Sequence, residues 1–383
     1  MAADRICSIL FYIAITVMTS LMALQVINNK QSISCFANGR RTRQSFGNRL
    51  FITGIFVILF LCSALRFDIG NDYWKYTQTA HEVYVGGYVV TEIGFNFIVK
   101  LIYGLCGSEC YELVFALFAF VTIRIFLKAF YEQSVDFSWT FFLFMTMGLY
   151  FQTFNTVRYY FALAIALYSI KYVLGKDWIS FVFLILFAAL FHKSVLLVIP
   201  VYWIAIFEWK KWHIIAGFVT GALCFAGQKI ILKLALILYP SYKGTVYLAG
   251  SDTFSSMIRI TMILGLYIWF VKYKDAMLEE ISRFRELQFY ARLNILSFIV
   301  CAFFSFLPVV TRIIYYFCIT QLFMIPLIIN NIEEPKLRKR VEKIIILVCV
   351  AYFAVFLLQA HQDGVKLLPY KSWLFETERF SFK

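Results

Sequence analysis

The stretch "RLFITGIFVILFLCSALRFDIGNDYWKY", residues 49–76, decides the fold. As far as about residue 67 it is an almost unbroken apolar run, and a helix needs roughly 17–25 such residues to cross a bilayer core. Residues 66–76 then bring two carboxylates, an arginine, a lysine and several aromatics together around Gly70. The segment therefore predicts a membrane helix that ends in a polar, aromatic cluster at the bilayer surface.

The same alternation fills the chain. Of its 383 residues 62% are hydrophobic and 15% charged, and the mean hydropathy is +0.76. Soluble domains carry about 45–50% apolar residues, so the class is a polytopic helical membrane protein. Apolar runs place spans at Ile6 to Ile27 and at about 49–67, 111–130, 139–154, 159–175, 178–192, 194–208, 213–229, 257–274, 288–307, 313–330 and 344–360. This predicts an all-α transmembrane bundle of about twelve spans, forming one membrane domain over residues 1–383 with no soluble domain attached. The first run is too long for a cleavable signal and lacks a small-residue cleavage site.

Orientation follows from Lys and Arg in the short loops. Lys30, Arg40, Arg41, Arg43 and Arg49 make the loop 28–49 cytoplasmic, and "KLRKRVEK" does the same for 331–343. Residues 68–110 then form an outer loop, and both termini lie outside. Within that loop "EIGFNFIVKLIYGL" (92–105) is apolar but short, which predicts a re-entrant or interfacial helix. The net charge of +14 is read as positive-inside bias and attraction to anionic lipid, not as a nucleic-acid surface. Cysteines are scattered, except that Cys106 and Cys110 are close enough to pair in an oxidising compartment. Walker A, dinucleotide and HExxH patterns are missing, so no cofactor is expected. Asp68 and Asp72 lack further ligands at metal-binding spacing, so no metal is expected either.

Under this topology an unusual set of polar residues collects at one membrane face. Arg66, Asp68, Asp72, Tyr73 and Tyr76 follow the second span, and Glu92 opens the short helix. Arg158 and Tyr159 stand in "FNTVRYYFALA", His192 and Ser194 in "LFHKSVLL", and Arg312 and Tyr316 in "LPVVTRIIYYF". A single arginine at a helix end commonly snorkels to the headgroups. Chance snorkelling would populate both faces, whereas these residues share one. Arginines offer planar donor forks to phosphate oxygens, His or a carboxylate can move a proton, and tyrosines suit sugars. The pattern fits an anionic, lipid-borne substrate.

At these residues the sequence resembles the EpsG family, Wzy-like membrane proteins of capsule and exopolysaccharide gene clusters. The family's Gly-x-Asp-Tyr-x-x-Tyr element is matched by Gly70, Asp72, Tyr73 and Tyr76, and its Glu-x-Gly-Phe step by Glu92, Gly94 and Phe95. Arg158 opens an Ala-rich helix containing Ala162, Ala164 and Ala166. Phe191, His192 and Ser194 match a Phe-His-x-Ser element. Arg312, Tyr316 and Phe317 match a late Arg-x-x-x-Tyr-Phe, with Pro326 downstream, and Pro369, Tyr370 and Lys371 close the series. Tyr159 stands where many relatives carry Gln, and Ile93 where Pro is common.

The resemblance implies a glycosyltransferase, namely a polymerase of the bacterial cytoplasmic (inner) membrane. Such a polymerase joins oligosaccharide repeat units carried on undecaprenyl diphosphate, at the outer face, for capsule, exopolysaccharide or O-antigen. It implies membrane lipids and a chain-length regulator and flippase of the same pathway as partners. Arg158 and Arg312, with Arg66, would stabilise the departing diphosphate; Asp72, Glu92 and His192 are the candidates for the base. Asp68, Tyr73, Tyr76, Tyr159, Ser194 and Tyr316 would contact substrate. Rival readings are a lipid-linked oligosaccharide flippase or transporter, another extracytoplasmic glycan transferase, and a partner protein without chemistry of its own. A transporter would distribute polar groups through the membrane depth and often show repeats, neither of which is visible here.

Overall fold

The structure is a computed structural model that describes residues 2–28, 43–238, 244, 250, 251, 253–274, 283–308, 310–362 and 365–375. Lys30, Arg40, Arg41 and Cys35, and the tail beyond residue 375, lie outside the described residues. Helices run in the order α1 (Ala2–Ala23), α2 (Arg43–Ala64), α3 (Tyr73–Val85), α4 (Ile93–Cys106), α5 (Tyr111–Gln133), α6 (Phe137–Thr146), α7 (Leu149–Gln152), α8 (Val157–Leu174) and α9 (Trp178–Ala189). A 3₁₀ turn over Lys193–Leu197 leads into α10 (Val198–Ile206). Then follow α11 (Lys211–Ala226), α12 (Gln228–Leu238), α13 (Phe254–Tyr273), α14 (Phe284–Phe303), α15 (Val310–Cys318), α16 (Gln321–Asn330) and α17 (Pro335–Gln359).

Among the described residues eight helices are long and apolar enough to cross a membrane, or up to nine if α11 and α12, bent by 82°, count as one span. The sequence predicts about twelve. The difference lies where runs read as single spans form short or broken helices. Residues 139–154 become α6 and α7, and α9 has only 12 residues. At 1.5 Å per residue, a 12-residue helix is about 18 Å long, well short of a bilayer core of about 30 Å. The expected helix at 92–105 is present as α4. One helix went unread: α3 buries Tyr73, Tyr76, Thr77, Ala80 and Val83, a helical spacing hidden in a mostly polar stretch.

The sequence reads as one membrane domain, and its residues gather into two compact units. The first comprises residues 1–168, 190–192 and 332–383, the second residues 169–189 and 193–331.

The first unit has two polar ends. At one, Asn48 clamps the end of α1, donating to the Ile27 carbonyl (2.6 Å) and accepting from the Ile27 amide (3.1 Å). Beside it Asn28 donates to the Ser134 carbonyl (3.0 Å) and accepts from the Phe137 amide (3.2 Å). At the other end Asp72, Glu92, Thr156, Arg158 and His192 come together, as described below. The chain from Ser134 to Thr156 therefore travels from one end to the other through α6 and α7, with its break at Gly148 (φ 72°). Phe141, Leu143, Met145, Leu149, Tyr150 and Phe151 are buried along it, so the interrupted backbone is enclosed by protein, the condition under which a membrane helix can be broken.

A strap closes this second end. Residues 366–373 lie along residues 65–70, with Phe67 N–H to Lys371 O (2.9 Å), Trp373 N–H to Leu65 O (3.1 Å) and Gly70 N–H to Lys366 O (2.8 Å). Tyr370 donates its hydroxyl to Cys62 O (3.0 Å), and Tyr12 donates its own to Leu367 O (2.9 Å). Gly70 is obligatory: φ is +97°, and an added Cβ would collide with the Phe154 carbonyl.

The second unit is built on α14, which packs against α10, α11, α13, α15 and α16. Arg292 of α14 is nearly buried and donates to Ala205 O (3.1 Å), Ile206 O (3.4 Å) and Gln288 Oε1 (3.1 Å). It satisfies the open carbonyls at the C-terminus of α10, a structural use of an arginine.

Candidate functional site

Three widely separated pieces of the first unit meet around one carboxylate. Glu92 is the residue before α4, with extended backbone (φ −71°, ψ 151°) and no side-chain bond to its own helix. Its Oε2 accepts from Arg158 Nη1, and its Oε1 stands 3.8 Å from His192 Nδ1. The three side chains are 13%, 17% and 11% exposed, in the order Glu92, Arg158, His192. A buried pair of this kind needs further contacts to offset its desolvation. Arg158 finds them on two aromatic faces, 5.4 Å above Tyr76 and 5.3 Å above Phe95. Its Nε has no hydrogen-bond partner, which leaves a donor for a ligand oxygen.

The local sequence explains this convergence. Gly94, in the first turn of α4, donates its N–H to Leu190 O (2.8 Å), and a Cβ there would stand only 2.8 Å from that oxygen. Only glycine lets α4 come this close to residues 190–192. Phe191 anchors that segment by packing against Phe161 (4.8 Å between ring centroids) and Phe118 (6.0 Å). His192 then faces Glu92, with Tyr159 edge-on at 5.4 Å.

Asp72 lies at the same end. It precedes α3 but leaves its own helix uncapped, accepting instead from Thr156 Oγ1 (3.2 Å), just ahead of α8. The N-termini of α3, α4 and α8 thus converge where Asp72, Glu92 and Arg158 sit. Each contributes partial positive charge from its unsatisfied N–H groups, and such ends favour anions. With Arg158, the site combines an anion-attracting field with two carboxylates and a histidine.

Within the first unit, Arg66, Asp68 and Tyr73 have other surroundings. Arg66 is 2% exposed: Nη1 donates to the Ser63 carbonyl, and the guanidinium lies 4.9 Å from the Phe115 ring centroid and 5.2 Å from that of Phe154. Burial holds its pKa below the usual arginine range. Asp68, at φ +53°, accepts from Lys366 Nζ (2.5 Å) and Trp74 Nε1 (2.5 Å), holding the strap. Asp68 and Asp72 are therefore engaged by different partners. Tyr73 is buried among Phe67, Trp74, Tyr111 and Phe115, and burial raises its pKa. Ser194, Arg312 and Tyr316 belong to the second unit, where the Ser194 and Tyr316 hydroxyls are 3.3 Å apart and Tyr316 O accepts from Tyr202 (2.9 Å). Cys106 and Cys110 are free thiols. Thr156 was not read as site-building, its only signal being its place beside Arg158; Gly94 was read as part of the Glu-x-Gly-Phe element, and its close approach to Leu190 is what the sequence did not display.

This geometry separates two aspartates four positions apart. Asp72→Asn removes a charge at the convergent helix ends and is expected to cut polymer output severely. Asp68→Asn weakens the contacts to Lys366 of the strap and Trp74 of α3, away from Glu92, and is expected to act mildly. Equal polymer from the two variants, at equal membrane amounts of protein, would contradict this division.

Eight membrane-length apolar helices among the described residues define a multi-pass membrane protein, whose first unit carries a buried, anion-attracting polar cluster. The sequence model of the EpsG family matches residues 49–372, most of the chain, and the protein belongs to the EpsG family. No curated protein and no solved structure matches it.

Proposed function

We propose that the protein polymerises lipid-linked oligosaccharide repeat units at the outer face of the bacterial cytoplasmic membrane, with Glu92, Arg158 and His192 at the centre of the reaction. The observation that carries this is Glu92 held between Arg158 and His192 at an end where three helix N-termini meet. In the reaction the bond from the donor's anomeric carbon to its diphosphate oxygen breaks, and the electron pair stays on that oxygen. The acceptor hydroxyl oxygen bonds to the carbon and gives up its proton. Arg158, whose Nε is unpartnered, stabilises charge growing on the diphosphate. His192 takes the proton, with the Glu92 carboxylate behind its ring to orient it and stabilise the imidazolium. Asp72 and Tyr76 border the sugar. Undecaprenyl diphosphate is the carrier that the family resemblance suggests.

The topology belongs to the same proposal. If the loop 28–49 is cytoplasmic, the end with Asn28 and Asn48 faces inward and the Glu92 end faces outward. Counting the enclosed α6–α7 passage and the other short apolar helices as crossings gives about twelve. Tyr88, 90% exposed between α3 and α4, is the position to probe. On a cysteine-free background, Tyr88→Cys is expected to react with an impermeant thiol reagent in intact cells. Labelling only after the membrane is opened would invert the orientation.

The function itself is tested by deleting the gene and analysing the lipid-linked pool. Single repeat units should accumulate on the carrier at the outer leaflet. Units trapped on the cytoplasmic leaflet would point to a flippase, and an unchanged pool would end the proposal.

A further inference from the structure

The corner between α4 and α5 holds two cysteines that the proposed reaction leaves unused. α4 ends at Cys106, Gly107 reverses the chain at φ +67°, and Cys110 stands immediately ahead of α5. The side chains of Cys106 and Cys110 are in hydrogen-bonding contact. Cys106 is exposed and Cys110 half-buried, with the Ser108 hydroxyl 3.5 Å from Cys110 Sγ.

Both flanks of the corner are anchored. Tyr103, one turn before Cys106, is buried against Tyr84 of α3, with ring centroids 5.3 Å apart. Tyr111, directly after Cys110, is buried and meets Tyr73 edge-on at 6.2 Å. Between them, Glu109 Oε1 lies 2.8 Å from His81 Nδ1 of α3. The fold itself therefore brings the two thiols together. Because Tyr73 follows Asp72, the same contacts place the corner at the end of the first unit that carries Asp72, Glu92 and Arg158.

The chemistry open to the pair is narrow. A structural metal site takes about four ligands, and among the described residues no three His, Cys, Asp or Glu side chains are grouped to hold a metal ion. A catalytic thiol is a thiolate of low pKa, whereas contact with Cys110 holds the Cys106 thiol above its ordinary range. Cys301 and Cys318 give the contrast, since both are buried in an apolar cluster of the second unit. Two touching thiols at an exposed corner suit disulfide formation, and disulfides persist in oxidising compartments.

We infer that Cys106 and Cys110 form an intramolecular disulfide in the working protein, made by exchange with an oxidised dithiol protein outside the cytoplasm. This rests on the outward orientation proposed for the Glu92 end, and not on the polymerase activity. In the exchange Cys106 gives up its proton, and its sulfur attacks the oxidant's disulfide. One oxidant sulfur leaves with the electron pair and takes up a proton. Cys110 then loses its proton as its sulfur attacks Cys106 Sγ, and the second oxidant sulfur leaves and is protonated. Two thiols of the chain become one disulfide, and one disulfide of the oxidant becomes two thiols. The bond closes a short loop, so its restriction of the unfolded chain is at the weak end for disulfides. It clips the far end of the helix that begins beside Glu92.

The native chain supplies its own reporter. Trypsin cuts after Lys100 and Arg124, and the peptide 101–124 contains Cys106 and Cys110 and no other cysteine. Cells are treated with N-ethylmaleimide before lysis, and the peptide is weighed with and without prior reduction. Unreduced, it should carry no maleimide and be lighter than the dithiol form by two hydrogens; reduced, it should take up two maleimides. Two maleimides without reduction would overturn the disulfide, and a single one would overturn the pairing within the chain. Tyr88→Cys labelling separates the causes of failure. If Tyr88→Cys reacts from outside while Cys106 and Cys110 stay thiols, the disulfide alone is lost and the proposed function stands. If Tyr88→Cys is protected and both stay thiols, the orientation is wrong and the disulfide falls with it. Purified wild-type protein should also melt about 2–4 °C lower in a dithiol reductant. The Cys106→Ser, Cys110→Ser double variant should melt at that lower temperature with or without reductant. Identical melting of the wild type in both conditions would overturn the clip.

Discussion

Glu92→Gln is expected to reduce polymer at least ~100-fold while the protein accumulates in the membrane at its normal amount. Loss of a positioned proton-transfer arrangement costs roughly that factor or more. The substitution is close to isosteric, and the amide oxygen can still accept from Arg158 Nη1. The helix start, the Gly94–Leu190 contact and the packing of Phe191 are untouched. What disappears is the negative charge shared by Arg158 and His192. Without it, Arg158 carries an unbalanced charge over Tyr76 and Phe95, and the His192 ring loses the group that orients it. His192→Gln should show the same loss if both act as one unit, and the double variant should then be no worse than either single one. Additive losses would mean that the two residues work separately. Full activity of Glu92→Gln would remove the charge from the mechanism and make Asp72 the next candidate.

Arg66→Ala should behave in the opposite way, reducing the amount of protein more than the activity per molecule. Arg66 is 2% exposed and contacts Phe115, Phe154 and the end of α2. Desolvated contacts of a cation with an aromatic face are worth about 2 kcal/mol, and truncating a large side chain in a packed interior leaves a cavity as well. A loss of this size is a large share of the roughly 5–15 kcal/mol that holds a typical domain together. The expected measurement is a several-fold drop in membrane-inserted protein at 37 °C, relieved at lower temperature. Normal amounts of an inactive Arg66→Ala protein would instead show that the guanidinium serves substrate.

Sequence and structure agree best where one physical signal dominates. Long apolar runs such as those at 49–67 and 111–130 can be read directly, because length and hydropathy suffice. The α6–α7 passage was placed as a crossing of single length, but its break at Gly148 was not legible. Enclosure by Phe356 and its neighbours permits that break, and enclosure is a tertiary fact. The same holds for the site. Glu92, Arg158 and His192 stood out as ionisable groups at helix ends, yet their mutual contact depends on Gly94 meeting Leu190, which no local pattern displays. Arg66 and Asp68 looked like Glu92 and Arg158 in sequence, being charged residues next to a span. They differ only in what surrounds them: aromatic rings around one, Lys366 and Trp74 around the other.

The strap has a consequence for how the protein is made. Lys366 is 298 residues downstream of the aspartate it pairs with, and bacterial and eukaryotic chains grow at about 5–20 residues per second. The loop that carries Asp72 therefore waits roughly 15–60 s after its own synthesis for the segment that covers it. During that interval every second-unit helix is threaded into the membrane, while the glycine turn at residue 70 has no partner for its amide. A chain halted after residue 360 would contain each proposed reacting group and still lack the piece that fixes the turn. The turn at residue 70 is therefore fixed by a segment made long after it, and its geometry is set by tertiary pairing rather than by its own sequence.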